Sequence, residues 1–223
     1  MILPPSIGLF VLPMYSRMPK PHHSRRIEVQ VPSRDFSEGV PTALARLGYE
    51  FVPARGRSTE PDARIVAAGR LNRLSAEATA PIIVFGGRRI VRASDPRVIG
   101  LVRRPAKLLD LYRLLQNALE THPRSVPRIA TSLPARSLRN GEDAPGAIVS
   151  LSERGCLLRS AKSLPGDGSI QLQFALSDLG LIETRAEPRH LAGEETGLAF
   201  ERLPEASRTA IAGFVTRSLT QSL

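Results

Sequence analysis

A change of rhythm near residue 120 constrains this chain more than any other feature of its sequence. Before it, strand-like runs alternate with helical segments. After it come six short runs and one helix. The strands of the first half read as "RIEVQV" (26–31), "YEFVPA" (49–54), "ARIVAAG" (63–69), "APIIVFGG" (80–87) and "RVIGLV" (97–102). A helix, "FSEGVPTALARLG" (36–48), follows the first strand and stops at Gly48. A second, "PAKLLDLYRLLQNALE" (105–120), places Pro105 in its first turn, where a missing N–H costs nothing, and sets Leu108, Leu111, Tyr112, Leu115 and Leu119 on one face. Strands rich in small and β-branched residues that alternate with helices predict a parallel α/β sheet.

From Arg128 the runs are "RIATSLPARSL", "GAIVSLS", "GCLLRSA", "SIQLQFAL", "IETRAEPRHL" and "TGLAFERL", separated by Gly, Pro and Asp. That pattern predicts an antiparallel barrel or sandwich. "PEASRTAIAGFVTRSLTQSL" then returns to helical spacing, with Ile211, Phe214, Val215 and Leu219 on one face. The expected organisation is a sheet domain over 26–120 and a six-stranded domain over 121–220, with 121–128 as the linker that opens the second. Residues 1–25, apolar but broken by prolines, are expected to be a disordered tail or a start assigned too early, with Met14 or Met18 as the true start.

The net charge of +10 is unevenly spread. Residues 1–120 hold 19 Lys and Arg against 10 Asp and Glu, whereas 121–223 hold 12 against 11. A basic first half attracts nucleic acid, anionic lipid or an acidic protein. The single cysteine, Cys156, excludes an internal disulfide framework and a multi-cysteine metal site, and it reads as a small buried hydrophobe. His22, His23, His122 and His190 are scattered without metal-ligand spacing, so no metal and no cofactor are expected. No paired acid and base or nucleophile–histidine arrangement calls for a catalytic step. No apolar run reaches the roughly 20 residues of a membrane span. With no export signal, the cytoplasm is the expected compartment.

The junction "THPRSVPR" carries Arg124 and Arg128, four residues apart. The same spacing recurs at Arg88/Arg92 and Arg185/Arg189, which read as ordinary surface charge, so position rather than spacing singles out the first pair. Twenty-two residues after Arg128 comes "SLSERG", with Ser150, Ser152 and Gly155. In this order, ahead of a six-strand-plus-helix layout, these residues resemble the PilZ domain family. That family pairs R-x-x-x-R with [D/N]-x-S-x-x-G, and has a glycine and then an aromatic near its last strand, here Gly197 and Phe200. Ser150 stands where the family has Asp or Asn. The resemblance covers about residues 121–220 and implies a PilZ-type barrel that binds cyclic di-GMP through Arg124, Arg128, Ser150, Ser152 and Gly155. Arginine forks suit phosphates and the O6/N7 edge of guanine, and serine hydroxyls suit a guanine edge.

The first half resembles a response-regulator receiver domain, which implies a doubly wound, flavodoxin-like sheet. "LVRRPAKLLDLYRLLQNALE" is similar to that family's last strand, lysine–proline pair and last helix, with Arg104 in the lysine's place. The family's acids after the first and third strands, and its Ser or Thr after the fourth, do not follow. Asp35 fits poorly, "VAAGRL" has no acid, and "FGGRR" has no hydroxyl, which implies a degenerate receiver without Mg²⁺ or a phosphoacceptor. The stretch from Arg88 to Arg113, with Arg89, Arg92, Arg97, Arg103, Arg104 and Lys107 between them, is expected to form a basic face for an acidic protein or a second copy of the chain. The expected function is a non-enzymatic second-messenger effector in which ligand reorients the receiver-like half. The alternatives are a ligand-free PilZ-like adaptor and a nucleic-acid-binding regulator acting through the basic half.

Overall fold

The computed structural model describes residues 24–54, 60–75, 77–86, 95–139, 141–161, 164, 167–176 and 180–221. The expected tail therefore lies outside the described residues up to residue 23, as do His22, His23, Arg88, Arg89 and Arg92.

In the first half, β1 (Arg25–Val29), β2 (Tyr49–Pro53), β3 (Ala63–Ala67), β4 (Ile82–Gly86) and β5 (Val98–Arg103) form one sheet in the order β2-β1-β3-β4-β5. Every pairing is parallel. Two helices, α1 (Val40–Arg46) and α2 (Leu108–Leu119), share one core cluster with Ile27, Ile65, Ile83 and Phe85. A second cluster, Val66, Leu71, Ile82 and Val84, lies beneath a 3₁₀ turn at Ala68–Arg73. Alternate residues of β3 and β4 thus enter different clusters, which explains the apolar runs Ile65–Ala67 and Ile82–Phe85.

Both helices start later than their sequence suggests, for one shared reason. The backbone amide of Ser37 donates to Ala106 O at 2.9 Å, and that of Ala106 donates to Asp35 O at 2.8 Å. These bonds tie the chain after β1 to the chain after β5. Phe36 is therefore extended, and a turn at Glu38 and Gly39, closed by the Val40 amide on Ser37 O at 3.2 Å with Gly39 left-handed at φ 73°, leads the chain into α1. Pro105 likewise precedes α2 rather than opening it; the N-cap is Lys107.

The second half is a closed barrel in the order β10-β11-β8-β7-β6-β9. Its strands are β6 (Ile129–Arg139), β7 (Glu142–Ser152), β8 (Gly155–Ser160), β9 (Ile170–Leu176), β10 (Gly180–Ala192) and β11 (Glu195–Phe200). All neighbours are antiparallel, and β9–β10 pairing completes the ring. Closure leaves no open sheet edge. Ile148, Leu151, Leu158, Leu172, Phe174 and Leu198 fill the interior.

Helix α3 (Glu205–Thr220) packs Ile211, Val215 and Leu219 into the barrel cluster at fourfold spacing, while Phe214 is half-buried. Ala43 of α1 joins the same cluster and is fully buried. Arg46 Nη1 donates to Ser218 O at 2.6 Å, and a Cβ on Gly39 would stand 2.9 Å from Thr220 Cβ. Thus α3 is held between the barrel and the sheet half.

Strands β8 and β11 approach most tightly at Gly155. A Cβ there would lie 2.1 Å from Leu198 O, a backbone atom that cannot swing aside. Gly155→Ala is expected to lower stability by about 1–3 kcal/mol, read by chemical denaturation. Cys156, 0% exposed, has its thiol pushed up to about 12 by burial, with the charge of Arg128 acting against the rise. The thiol stays protonated at about pH 8 and is expected to react with iodoacetamide only after unfolding. Mass spectrometry of labelled native and denatured protein checks this.

Candidate functional site

The site is assembled from three strands and the linker that feeds them. Ile129, Leu151 and Cys156 point inward and are buried at 3%, 0% and 0%. Residues alternate along a strand, so Arg128, Ala130, Ser150, Ser152, Gly155 and Leu157 belong to the opposite, outer side. The register sets Ser150 opposite Ala130 on one side and Leu157 on the other, with Ser152 opposite Gly155. Arg128 immediately precedes β6, beside the last pair of that ladder. The sequence motif is therefore a compact patch where β6, β7 and β8 meet.

Within the patch the residues divide by role. Ser152 is buried, and its hydroxyl donates to Gly155 O at 3.0 Å, closing the two-residue turn at Glu153 and Arg154. Gly155 is required by the approach of β11. These two residues build the hairpin. Ser150 is half-buried and its hydroxyl makes no hydrogen bond to any described residue, which leaves it available as donor and acceptor.

Neither Arg124 nor Arg128 has a side-chain hydrogen bond or ion pair among the described residues, and both are exposed. Arg128 lies within electrostatic reach of Arg124, Tyr112 and Cys156. Partial desolvation first, and the charge of Arg124 second, hold its guanidinium below the usual arginine value. The exposure of the residue limits the size of that effect. What remains is two like charges near each other with no carboxylate between them, an arrangement that a bound anion relieves.

The linker itself is held, by residues that the motif does not include. The Arg124 amide donates to Gln116 Oε1 at 2.7 Å, and Gln116 Nε2 donates to Tyr49 Oη at 2.7 Å. The Tyr49 hydroxyl donates to Glu120 Oε1 at 3.4 Å, and Arg25 Nε reaches the same oxygen at 3.5 Å. Burial, and then the charge of Glu120, raise the Tyr49 phenol well above its ordinary value, so it remains a donor. Arg113 Nε also donates to Ser125 O at 3.0 Å. One signal for Gln116 was present in the sequence: a polar residue one turn after Tyr112 on the apolar face of α2.

Among the described residues, the basic residues of the stretch up to Arg113 do not share one edge of the sheet. Arg97 donates to Asp95, Ser75 O and Ala78 O at the amino edge of the sheet, where it ties loops together. Arg104 lies at the opposite, carboxyl edge, with its Nε 3.1 Å from Asp35 Oδ2. Arg113 is engaged with the linker. Parallel strands send their two ends to opposite edges, which separates residues that the sequence lists together. Asp35, expected to fit poorly, is buried at this carboxyl edge. At Arg189 the expectation of surface charge agrees with an exposed pairing to Glu187 at 2.6 Å.

Among the described residues, no three His, Cys, Asp or Glu side chains gather as metal ligands, and no helix is long and apolar enough to cross a membrane.

Comparison with protein families matches residues 122–217 to the PilZ domain. No curated protein matches the chain. Among solved structures, it is similar to the inhibitor of motility MotI/DgrA of Bacillus subtilis, at 18% identity and TM-score 0.40, over 44% of this chain and 51% of that one. It is also similar to the PilZ domain with c-di-GMP of YcgR from Escherichia coli, at 12% identity and TM-score 0.38, over 44% and 92%. A third is the PlzA protein of Borreliella burgdorferi in complex with c-di-GMP, at 21% identity and TM-score 0.35, over 48% and 47%. The chain thus spans about half the length of the first and third of these. Residues 122–217, a six-stranded barrel with a C-terminal helix, are a PilZ domain.

Proposed function

We propose that this chain is a non-enzymatic, cytoplasmic effector that binds cyclic di-GMP at its PilZ domain and passes occupancy to the sheet half through the linker. One observation carries the reading: Arg124 and Arg128 present two unpaired guanidiniums beside the patch where β6, β7 and β8 meet. Cyclic di-GMP offers two phosphates and two guanines. Arginine forks pair with the former, and they contact the O6/N7 edge of guanine or stack on its face. The free hydroxyl of Ser150 adds one adjustable contact to a guanine edge. Ser152 and Gly155 hold the hairpin that shapes the patch.

For the sheet half, the strand order 2-1-3-4-5 supports a degenerate receiver-like domain, since doubly wound sheets of the flavodoxin type use that order. The Asp35–Arg104 pair at the carboxyl edge agrees with it, and the absence of an acid where β3 ends at Ala67 agrees with loss of phosphorylation. In this reading the half serves as an output surface. Exposed Arg103 and Lys107 at the carboxyl edge are the described basic residues left for an acidic partner or a second copy.

Calorimetric titration with cyclic di-GMP, with GTP as control, tests the proposal. The Arg124→Ala/Arg128→Ala double variant is expected to lose at least about a hundredfold in affinity, from two charge-assisted contacts of about 1.5–3 kcal/mol each, with its unfolding midpoint unchanged. Equal affinity in wild type and double variant contradicts the site. Ser150→Asn, which restores a longer polar group at the position, is expected to tighten binding about tenfold in the same assay. Absence of binding in the wild type favours the ligand-free adaptor instead.

A further inference from the structure

The arginine motif leads into the barrel, yet the backbone amide of its first residue is held by the other half of the molecule. Gln116 is buried, and both ends of its side-chain amide are committed: the oxygen to the Arg124 amide and the nitrogen to Tyr49 Oη, each at 2.7 Å. The chain of donors runs one way, from Arg124 N–H through Gln116 and Tyr49 to the Glu120 carboxylate, which Arg25 of β1 approaches from the sheet. Each member is oriented by the next, so the amide of Gln116 is not free to flip. Beside it, Arg113 holds Ser125 O, and Val126 and Pro127 are buried between the two motif arginines. The backbone of the motif is thus fixed by α2, while its two guanidiniums remain unpaired.

We infer that Gln116, oriented by Tyr49, is a positioning residue for the ligand site: it holds the Arg124 backbone so that the two guanidiniums meet the ligand already placed. Its effect on affinity rests on the ligand reading given above; its effect on the linker does not. Binding and linker order are then linked, and any event in the sheet half that strains the Tyr49–Gln116 contact changes ligand affinity by the same factor as ligand changes that event.

Hydrogen exchange at the linker of the full chain, followed by calorimetry with cyclic di-GMP, tests this. Gln116→Leu removes both contacts, and Tyr49→Phe removes only the hydroxyl from a buried ring. Gln116→Glu keeps an acceptor for the Arg124 amide. The Arg124 amide is expected to exchange at least about tenfold faster in Gln116→Leu and Tyr49→Phe, and near the wild-type rate in Gln116→Glu, with the barrel strands unchanged in all three. Affinity is expected to fall about five- to tenfold in the first two variants and to recover in Gln116→Glu. Unchanged Arg124 exchange in both Gln116→Leu and Tyr49→Phe overturns the inference, as does faster exchange with undiminished affinity. A wild type that exchanges slowly at Arg124 but binds no cyclic di-GMP overturns the ligand reading, and with it the positioning role.

Discussion

Two guanidiniums stand near each other with no carboxylate paired to either among the described residues, and the backbone of this molecule holds them there. Partial desolvation first, and the charge of Arg124 second, hold the Arg128 guanidinium below its ordinary value. The pair persists because its backbone is fixed at both ends. On one side, Gln116 and Arg113 hold residues 124 and 125. On the other, Ile129 enters β6 and pairs with Leu151. The chain between has little freedom to carry the charges apart. The same fixed linker sits where the sheet half and the barrel join, which is why the proposed function places transmission there.

That junction is a packed one. Ala43 enters the barrel cluster, Gly39 lies against Thr220, and Arg46 caps the carbonyl of Ser218 near the end of α3. Helix α3 therefore belongs to both halves, and the connection has two parts: the packing and hydrogen bond of α1 against α3, and the hold of α2 on the linker. Under the proposed function, ligand bound by Arg124 and Arg128 acts on the second part, where Gln116 holds the Arg124 backbone. Coupling of this kind needs no new pocket, only a difference in linker strain between two states of the molecule.

The sequence was legible where periodicity and burial agree. The five parallel strands, the six antiparallel ones and α3 all follow from apolar spacing, and the arginine motif was found because it stands at the change of rhythm. It was less legible where a long-range backbone bond decides. The bonds between Ser37, Ala106 and Asp35 delay both α1 and α2, and no local propensity announces them. The basic run from Arg97 to Arg113 is contiguous in sequence but divided between opposite edges of a parallel sheet. Gly155 is a place of close approach, and the approaching atom is Leu198 O of the protein itself. Gln116 was visible only as a polar interruption of an apolar stripe.

The most direct test of the account is a nuclear magnetic resonance titration of the full chain with cyclic di-GMP, following the Nε–Hε resonances of its arginines. The account predicts that the signals of Arg124 and Arg128 shift together and saturate, with the Ser150 amide moving alongside them and GTP producing none of this. Shifts confined to arginines of the sheet half, or none at those two residues, would contradict it.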